Sequence, residues 1–383
     1  MTGQTKLIID TDPGIDDAMA ILMAFNCEEL DVLGLTTIYG NVPTVLATEN
    51  ALRLVELAGS SQVEVAQGSL CALKSAIEEI RIANFVHGDD GFGDIGYPSA
   101  IKQALSDLSA AEFIVQKINE FPGEVSILAL AGLTNIAKAI LLDPSLPTKW
   151  KELVILGGAY FVNGNINPAA EANIFADPDA ADLVFGSGER IRVVGLDVTH
   201  ECCLSSARLD ELGGISHVQA QEKSGVTNAD RIEDILDNDR IDSHDQANTN
   251  IMDSDVSANS CKTTEISVKS EVQGLGKYGR FVHAIAQFYL NYHRRSYNMN
   301  AIYLHDPTAL VALIRPELFG WRRGAVRVVC DGVARGHTIL DANLKTWHGP
   351  NGWTEKDRPK IQVALEVKHQ DVVDCIFALL SKQ

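Results

Sequence analysis

The chain has 383 residues, of which 46% are hydrophobic, and its formal net charge is −19 at pH 7. This apolar content supports a packed core and excludes a disordered chain. The negative charge argues against nucleic acid or an anionic membrane as a partner, because both require a basic surface. The N-terminal stretch MTGQTKLIID lacks the apolar region of a secretory signal, and the seven scattered cysteines include no C-x-x-C pair. We therefore expect a reducing, cytoplasmic location.

Short β-branched runs alternate with longer helical patterns along the chain. The runs that predict buried strands are residues 6–10, 31–38, 125–130, 152–156 and 191–196, followed late in the chain by 324–330 and 360–367. Helices are predicted to begin near Asp16, Pro43, Ala111, Thr134 and Pro178, and a last helix spans 370–382. This alternation is typical of an α/β fold with a mainly parallel sheet flanked by helices, whose ligands bind at the carboxyl ends of the strands.

One region departs from this alternation. Residues 226–271 are rich in Asp, Asn and Ser, and they include DNDRIDSHDQAN, which superficially suggests a calcium loop. That loop pattern fails because Ile241 occupies a ligand position and the central glycine is missing. We therefore predict a single domain over residues 1–383 that contains an acidic, solvated insertion at 226–271.

The stretch IIDTDPGIDDAMAIL gathers four carboxylates beside an apolar strand. Asp10 and Asp12 are two residues apart at the strand end, so their side chains leave on the same side, whereas Asp16 and Asp17 fall in the first turn of a helix. One like-charged pair at 4 Å costs about 4 kcal/mol at an effective dielectric constant near 20. Helix capping would explain any one of these residues, but four together favour an all-oxygen site for Ca²⁺ or Mg²⁺.

Polar residues also follow other predicted strands. They are Asn41, then Thr134 and Asn135, then Asn165, Glu171 and Asn173, and finally His305 and Asp306 just before a predicted helix. Each has a purely structural explanation, since Thr134 and Asp306 are good N-caps and Asn165 suits a turn. Together they predict a cleft lined with oxygen donors and acceptors, which suits a polyhydroxylated ligand and a hard cation.

The motifs DTDPGIDDA, G-N, G-L-T-N-I-A, G-N-x-N-P-x-A-E-x-N and H-D-P resemble those of the inosine-uridine-preferring nucleoside hydrolase family, in order, from residue 6 to about residue 315. The resemblance implies a Rossmann-like nucleoside hydrolase fold with a mixed, mainly parallel sheet. It implies hydrolysis of the N-glycosidic bond of ribonucleosides, with a tightly bound Ca²⁺, in nucleoside salvage or catabolism. It also implies a homodimer or homotetramer. Uridine and purine nucleosides such as inosine, xanthosine and adenosine are the expected substrates, without a ranking.

The resemblance also assigns roles to individual residues. Asp12, Asp17, Asp306 and the main-chain carbonyl of Thr134 (or of the adjacent Leu133) would bind Ca²⁺, and Asp12 would accept a proton from the attacking water. Asp10 would orient these ligands. The residues expected to hold the ribose hydroxyls are Asp16, Asn41 and Asn173 for the 2′ and 3′ positions and Asn165 and Glu171 for the 5′ position.

The departing base requires a proton donor. His305 is the first candidate, with an alternative role in orienting Asp306, and Tyr297 is the second. The segment HGDDGFGD, which begins at His87, resembles the family's mobile loop over the substrate, although a plain glycine turn would explain the same residues. Leu156 stands where many relatives have methionine, which bears on the fit of the sugar.

Two other classes of protein compete with this interpretation. A haloacid-dehalogenase-like phosphatase would use Asp10 as nucleophile and Asp12 as acid, but neither Gly14 nor the H-D-P motif fits that pattern. A non-catalytic ribose- or nucleoside-binding protein would keep the asparagines, but it has no reason to keep both Asp12 and His305. A dinucleotide dehydrogenase is excluded because no G-x-G-x-x-G follows the first strand.

Overall fold

A computed structural model describes residues 3–74, 80–215, 276–349, 353 and 358–382. The acidic insertion predicted at 226–271 lies outside these residues. None of the helices in the described ranges combines the length and the apolar character needed to cross a bilayer.

A large mixed sheet forms the centre of the described part of the chain. Its strands, in chain order, are β1 Thr5–Thr11, β2 Leu30–Thr37, β3 Glu64–Gln67, β4 Val125–Ala129, β5 Glu152–Leu156, β6 Ile191–Val194, β9 Phe319–Val328, β10 Thr338–Asp341 and β11 Ile361–Val367. The order across the sheet is β10-β9-β11-β6-β5-β4-β1-β2-β3. The seven strands from β11 to β3 are parallel, and β9 and β10 add an antiparallel edge. Two short strands, β7 Cys203–Ser205 and β8 Ala301–Tyr303, pair separately.

Helices cover both faces of this sheet. They are α1 Ile15–Asn26, α2 Thr44–Leu57, α3 Asn84–His87, α4 Ala110–Glu120, α5 Thr134–Leu142, α6 Leu146–Lys149, α7 Ala172–Ala176, α8 Pro178–Phe185, α9 Leu196–Thr199, α10 Ser206–Leu212, α11 Gly279–Tyr297, α12 His305–Ile314 and α13 His369–Leu380. Alternate residues of β1 point to opposite faces: Leu7 and Ile9 join the core formed with α1, α2 and α11 to α13, whereas Ile8 joins the core formed with α4, α5 and α8.

The predicted α/β class and its mainly parallel sheet are confirmed. The five strands predicted in the first two hundred residues form within two residues of their predicted bounds, and Asp177 caps α8 as a Pro-initiated helix should be capped. The four-residue β3 was missed because a strand this short carries almost no periodic signal. The placement of His305 and Asp306 just before a helix was wrong: they are the first two residues of α12, and Leu304 is its N-cap.

The strand order determines where a ligand site can form. Across β3-β2-β1-β4-β5-β6 the chain first moves outward from β1 on one side and then restarts from β4 on the other side. In sheets with this order, the crevice outside the carboxyl ends of the two central strands is the usual binding site. Asp10 pairs in register with Ala129, so the segments that follow β1 and β4 leave the sheet side by side.

Gly34 in β2 lies where α4 packs closely on the sheet. A Cβ at this position would lie 2.5 Å from Cζ of the fully buried Phe113 and 3.0 Å from the Glu64 carbonyl oxygen. We expect Gly34→Ala to lower the free energy of unfolding by about 1–3 kcal/mol, because neither neighbour has room to move. Urea denaturation followed by circular dichroism measures the change. Gly3→Ala is the matched control, since a Cβ at Gly3 would have no atom within 4 Å; equal urea midpoints for the two variants would contradict the expectation.

Candidate active site

Asp17 organises the turn that follows β1. Its Oδ1 accepts hydrogen bonds from the Thr11 hydroxyl at 2.5 Å and the Asp12 amide at 3.3 Å, and its Oδ2 accepts the Gly14 amide at 3.2 Å. Asp16 and Asp17 lie in the first turn of α1, as the sequence predicted. A carboxylate there is favoured by the helix dipole, so the local structure stabilises a charge that its acidic neighbours oppose.

Asn41, at the end of β2, holds Asp12 in place. The Asn41 amide donates to Asp12 Oδ2 at 2.7 Å, and the Asn41 side-chain Nδ2 donates to Asp17 Oδ2 at 2.7 Å. This close contact between the Asn41 amide and Asp12 requires glycine at position 40, because a Cβ on Gly40 would lie 2.0 Å from Asp12 Oδ2. The G-N pair after β2 therefore positions the Asp12 carboxylate.

Asp10 lies behind the turn and is completely buried. Its Oδ1 accepts hydrogen bonds from the Thr36 hydroxyl at 2.6 Å and from Asn135 Nδ2 at 2.8 Å. Its Oδ2 has no hydrogen-bond partner among the described residues. Burial raises the pKa of Asp10 to about 7, although both donors oppose the shift.

Asp16, Asp17 and Asp306 converge from α1 and α12. One carboxylate oxygen of each lies within 4.8 Å of the others, and all three residues are buried. At that distance each like-charged pair costs about 3 kcal/mol at an effective dielectric constant near 20. Burial, and then the Asp17 charge, raises the pKa of Asp16 to about 8, whereas burial and the charges of Asp16, Asp17 and Asp12 raise the pKa of Asp306 well above its usual range.

The acidic cluster has no positively charged neighbour to neutralise it within the described ranges. In the described part of the chain no lysine or arginine forms an ion pair with it; Arg81 and Arg335 line a neighbouring cavity that Asp12 also borders. His87 Nδ1 lies 3.9 Å from Asp16 Oδ1, but burial lowers the pKa of His87 to about 3, so this imidazole is neutral. Buried, unneutralised oxygen ligands are the donor set of a hard divalent cation, and the residues present therefore fit a metal site.

An open cavity of about 740 Å³ lies beside the acidic cluster. It is lined by every predicted ribose-binding residue and every predicted leaving-group residue, namely Asp16, Asn41, His87, Asn165, Glu171, Asn173, Tyr297 and His305. Glu171 caps α7, and its carboxylate accepts the amides of Asn173 at 2.9 Å and Gly158 at 2.9 Å. Burial raises the Glu171 pKa despite these bonds. The structure thus brings together residues from the ends of several strands in one polar cleft.

The structure places Thr134 apart from this cavity. Its hydroxyl donates to Asp177 Oδ2 at 2.7 Å, and the Leu133 carbonyl accepts the Ala137 amide within α5. Two carbonyls meet Asn173 Nδ2 at the site: that of Leu130, the residue after β4, accepts it at 2.7 Å, and that of Leu156, the last residue of β5, accepts it at 3.2 Å. Leu130 lines the cavity together with Asp306. Sequence reasoning missed Leu130 because a main-chain carbonyl has no residue-type signature; its place directly after a central strand was the available signal.

Two histidines of the cavity have defined surroundings. His87 is buried, and its Nδ1 accepts the Ile15 amide at 3.1 Å. His305 Nδ1 lies 2.8 Å from the Thr199 hydroxyl oxygen. Burial, followed by the nearby His200, lowers the His305 pKa well below its usual range.

An aromatic face of α11 forms another wall. Tyr289, His293 and Tyr297 line the cavity at four-residue intervals, a helical spacing that could have identified Tyr289 and His293 from sequence. Tyr289 lies beside the His87 ring at 5.7 Å, and His293 lies beside Tyr297 at 5.5 Å. Tyr297 is 39% exposed, and burial of the rest of the ring raises its pKa to about 12.

The turn that follows His87 is built from its own acidic residues. Asp90 Oδ1 accepts the amides of Phe92 at 2.7 Å and Asp94 at 2.8 Å, while Asp94 Oδ1 accepts the Asp89 amide at 2.6 Å. These bonds account for the aspartates of HGDDGFGD as turn-forming residues. A role for this segment over the substrate stays a prediction.

Residues 7–374 match the model of the inosine-uridine preferring nucleoside hydrolase family. The chain belongs to this family. It is 43% identical to "Uridine nucleosidase 1" of Arabidopsis thaliana over 98% of this chain and 93% of that protein. It is also 38% identical to the inosine-uridine preferring nucleoside hydrolase of Leishmania major, over 54% of this chain and 66% of that protein. The predicted family and the predicted nucleoside hydrolase activity are confirmed, and the phosphatase and binding-protein alternatives are set aside.

Solved structures show the same fold over the whole length. A plant nucleoside hydrolase aligns with a TM-score of 0.81 at 38% identity, covering 99% of both chains. A purine-preferring ribonucleoside hydrolase from Gardnerella vaginalis aligns with a TM-score of 0.75 at 26% identity, covering 98% of both chains. The nucleoside hydrolase fold predicted from the motifs is therefore confirmed.

Repulsion within the cluster predicts that neutralising one carboxylate stabilises the cation-free protein. We expect Asp306→Asn to raise the melting temperature by a few degrees in excess chelator at alkaline pH, where the carboxyls ionise despite their raised pKa values, because the variant removes one buried charge from Asp16 and Asp17. Differential scanning calorimetry measures the shift. The control is Asp331→Asn, which makes the same substitution at an exposed position and should leave the melting temperature unchanged. A melting temperature for Asp306→Asn at or below that of the wild type would refute the repulsion argument.

Proposed function

We propose that this nucleoside hydrolase uses Ca²⁺ to hydrolyse the N-glycosidic bond of uridine and of purine ribonucleosides, giving ribose and free base. The observation that carries the proposal is a buried carboxylate cluster that is paired with no lysine or arginine among the described residues and that opens onto a cavity lined with asparagines. The uridine nucleosidases among the relatives support uridine as a substrate. The purine-preferring relative of the same fold supports purine nucleosides.

Asp12, Asp17 and Asp306 are the proposed Ca²⁺ ligands, together with a main-chain carbonyl. Asp16 lies within the same carboxylate group and is assigned to the ribose instead. The predicted carbonyl is that of Thr134 or Leu133, and the Leu130 carbonyl is a better candidate because Leu130 lines the cavity. When bound, Ca²⁺ supplies Lewis acidity that makes a water molecule a stronger nucleophile at neutral pH.

Asp12 is the proposed general base. Its Oδ2 is fixed by the Asn41 amide, so the carboxylate has a defined orientation at the border of the neighbouring cavity, which shares Asn41 and Asn173 with the larger one. Asp12 takes a proton from the attacking water as the water oxygen bonds to C1′, and the electron pair of the C1′–N bond leaves with the base. Asp10, buried behind the turn, holds Asn135 and Thr36 and supports this geometry.

The ribose is held by carboxylate and amide groups. Asp16, Asn41 and Asn173 are assigned to the 2′ and 3′ hydroxyls, and Asn165 and Glu171 to the 5′ hydroxyl. The side chains of Asn165, Glu171 and Asn173 form hydrogen bonds with main-chain groups, and the Asn41 side chain donates to Asp17 Oδ2, so these four side chains are orientated before a ligand arrives. A ring of oxygen atoms suits the positive charge that develops on the sugar in glycoside hydrolysis.

His305 is the proposed donor to the departing base. It lines the cavity next to Asp306 at the start of α12, whereas Tyr297 is more exposed at the end of α11 and is the second candidate. His87, which also lines this cavity, is assigned to substrate contact. Leu156, which stands where many relatives have methionine, lines the same cavity.

The test is steady-state release of ribose from uridine, inosine, xanthosine and adenosine before and after exhaustive chelation. We expect release to disappear on chelation and to return with Ca²⁺. Asp12→Asn should fold as the wild type does and lose about 10²–10⁴-fold in kcat, because the proton acceptor is removed. The matched control is Asp331→Asn, which should keep wild-type turnover. Undiminished release after chelation would contradict the metal requirement, and wild-type turnover by Asp12→Asn would contradict the assigned base.

We further propose a cytoplasmic homodimer or homotetramer. The described cysteines are free, which is consistent with a reducing compartment, and the family resemblance supports the oligomer. Light scattering coupled to size-exclusion chromatography measures the assembly, and a mass of one chain at micromolar concentration would refute it.

A further inference from the structure

Thr199 and His305 contact each other at the back of the active site. Thr199 is the last residue of α9 and is completely buried, while His305 is the first residue of α12. The Thr199 hydroxyl oxygen and His305 Nδ1 are 2.8 Å apart. This is the hydrogen bond that sets which ring nitrogen of His305 carries the proton.

The direction of the bond follows from the surroundings of Thr199. Among the described residues its hydroxyl has no hydrogen-bond partner other than His305 Nδ1. If Nδ1 carried the proton, the hydroxyl would accept it, and the buried O–H would then have no acceptor of its own. A buried unpaired donor costs about 1–3 kcal/mol, so the O–H donates to Nδ1 and the imidazole proton lies on Nε2.

We propose that Thr199 is a positioning residue that holds His305 as the Nε2–H tautomer, so that a neutral imidazole donates a hydrogen bond to the departing base. This inference rests on the proposed function, because it refines how His305 assists the leaving group. The electron pair of the C1′–N bond moves onto the base, and the Nε2–H stabilises the atom that receives the charge. No proton has to leave the imidazole in this step.

The other histidine on this side of the cavity is held differently. His293 Nδ1 donates to the Tyr289 carbonyl at 2.8 Å, and its Nε2 accepts the Tyr303 amide at 3.3 Å. Both ring nitrogens of His293 are therefore occupied by the main chain. His305, in contrast, has its tautomer set by a side chain, which a single substitution can remove.

The decisive comparison uses two substrates that differ in leaving group. Uracil is a poor leaving group and its departure from uridine benefits from a hydrogen-bond donor, whereas p-nitrophenyl β-D-riboside releases a stable phenolate without one. Thr199→Val removes the hydroxyl at nearly constant volume, and Thr199→Ser restores it. Thr308→Val is the matched control, because Thr308 is a fully buried threonine of α12 that does not contact His305 Nδ1.

We expect Thr199→Val to lower kcat for uridine by about 10²-fold, with KM changed less than about threefold and p-nitrophenyl riboside turnover nearly unchanged. Thr199→Ser should recover most of the uridine activity. Thr308→Val should have wild-type kcat and KM values for both substrates. Equal losses on both substrates would show a merely structural role, and wild-type uridine turnover by Thr199→Val would show no role; either overturns the inference. Absence of ribose release from uridine by the wild type would instead overturn the proposed function, and the inference with it.

Discussion

Mutual repulsion among carboxylates buried at the carboxyl end of β1 is the constraint on which the active site depends. Asp10, Asp12, Asp16, Asp17 and Asp306 are each at most 5% exposed, so water does not screen them. The surrounding structure supplies neutral hydrogen-bond donors to these carboxylates, including the hydroxyls of Thr11 and Thr36 and the side-chain amides of Asn41 and Asn135. These donors orient the carboxylates but supply no positive charge, and the pKa values of Asp10, Asp16 and Asp306 are raised as a result of burial and, for Asp16 and Asp306, of mutual repulsion. The ionised carboxylates therefore repel one another, and a bound divalent cation would reduce this repulsion.

The sheet brings these groups together because of its strand order. The crevice between β1 and β4 receives the DTDPGIDD turn from one side and Leu130 from the other. Asn41 comes from the end of β2, and Glu171 and Asn173 come from the segment after β5. Glu171 and Asn173 are orientated by hydrogen bonds to main-chain groups, and Asn41 is orientated by its bond to the Asp17 carboxylate. A cleft lined with pre-orientated polar side chains results among the described residues.

The acidic turn, the five early strands and most of the cavity residues could be predicted from sequence, because each combines a residue type with a position at a strand end. Leu130 could not, since its contribution is a carbonyl oxygen, which every residue possesses. Thr199 could not either, because its partner His305 is far away in the chain and only tertiary packing joins them. His305 and Asp306 were placed before α12 rather than in it, since Leu304 is an unusual cap. Local patterns thus locate a site, whereas side-chain pairing depends on the assembled fold.

The first and last thirds of the chain meet at this site. Asp12 follows the first strand, and Asp306 belongs to a helix that packs against α1 and α13 near the end of the chain. Contacts of such large sequence separation form late in folding, because the loop-closure entropy must first be overcome. A nascent or truncated chain that lacks α12 has the acidic turn but not its last carboxylate. With the role proposed for Asp306, catalytic competence would arise only when the C-terminal third has docked, and activity would then report that the fold is complete.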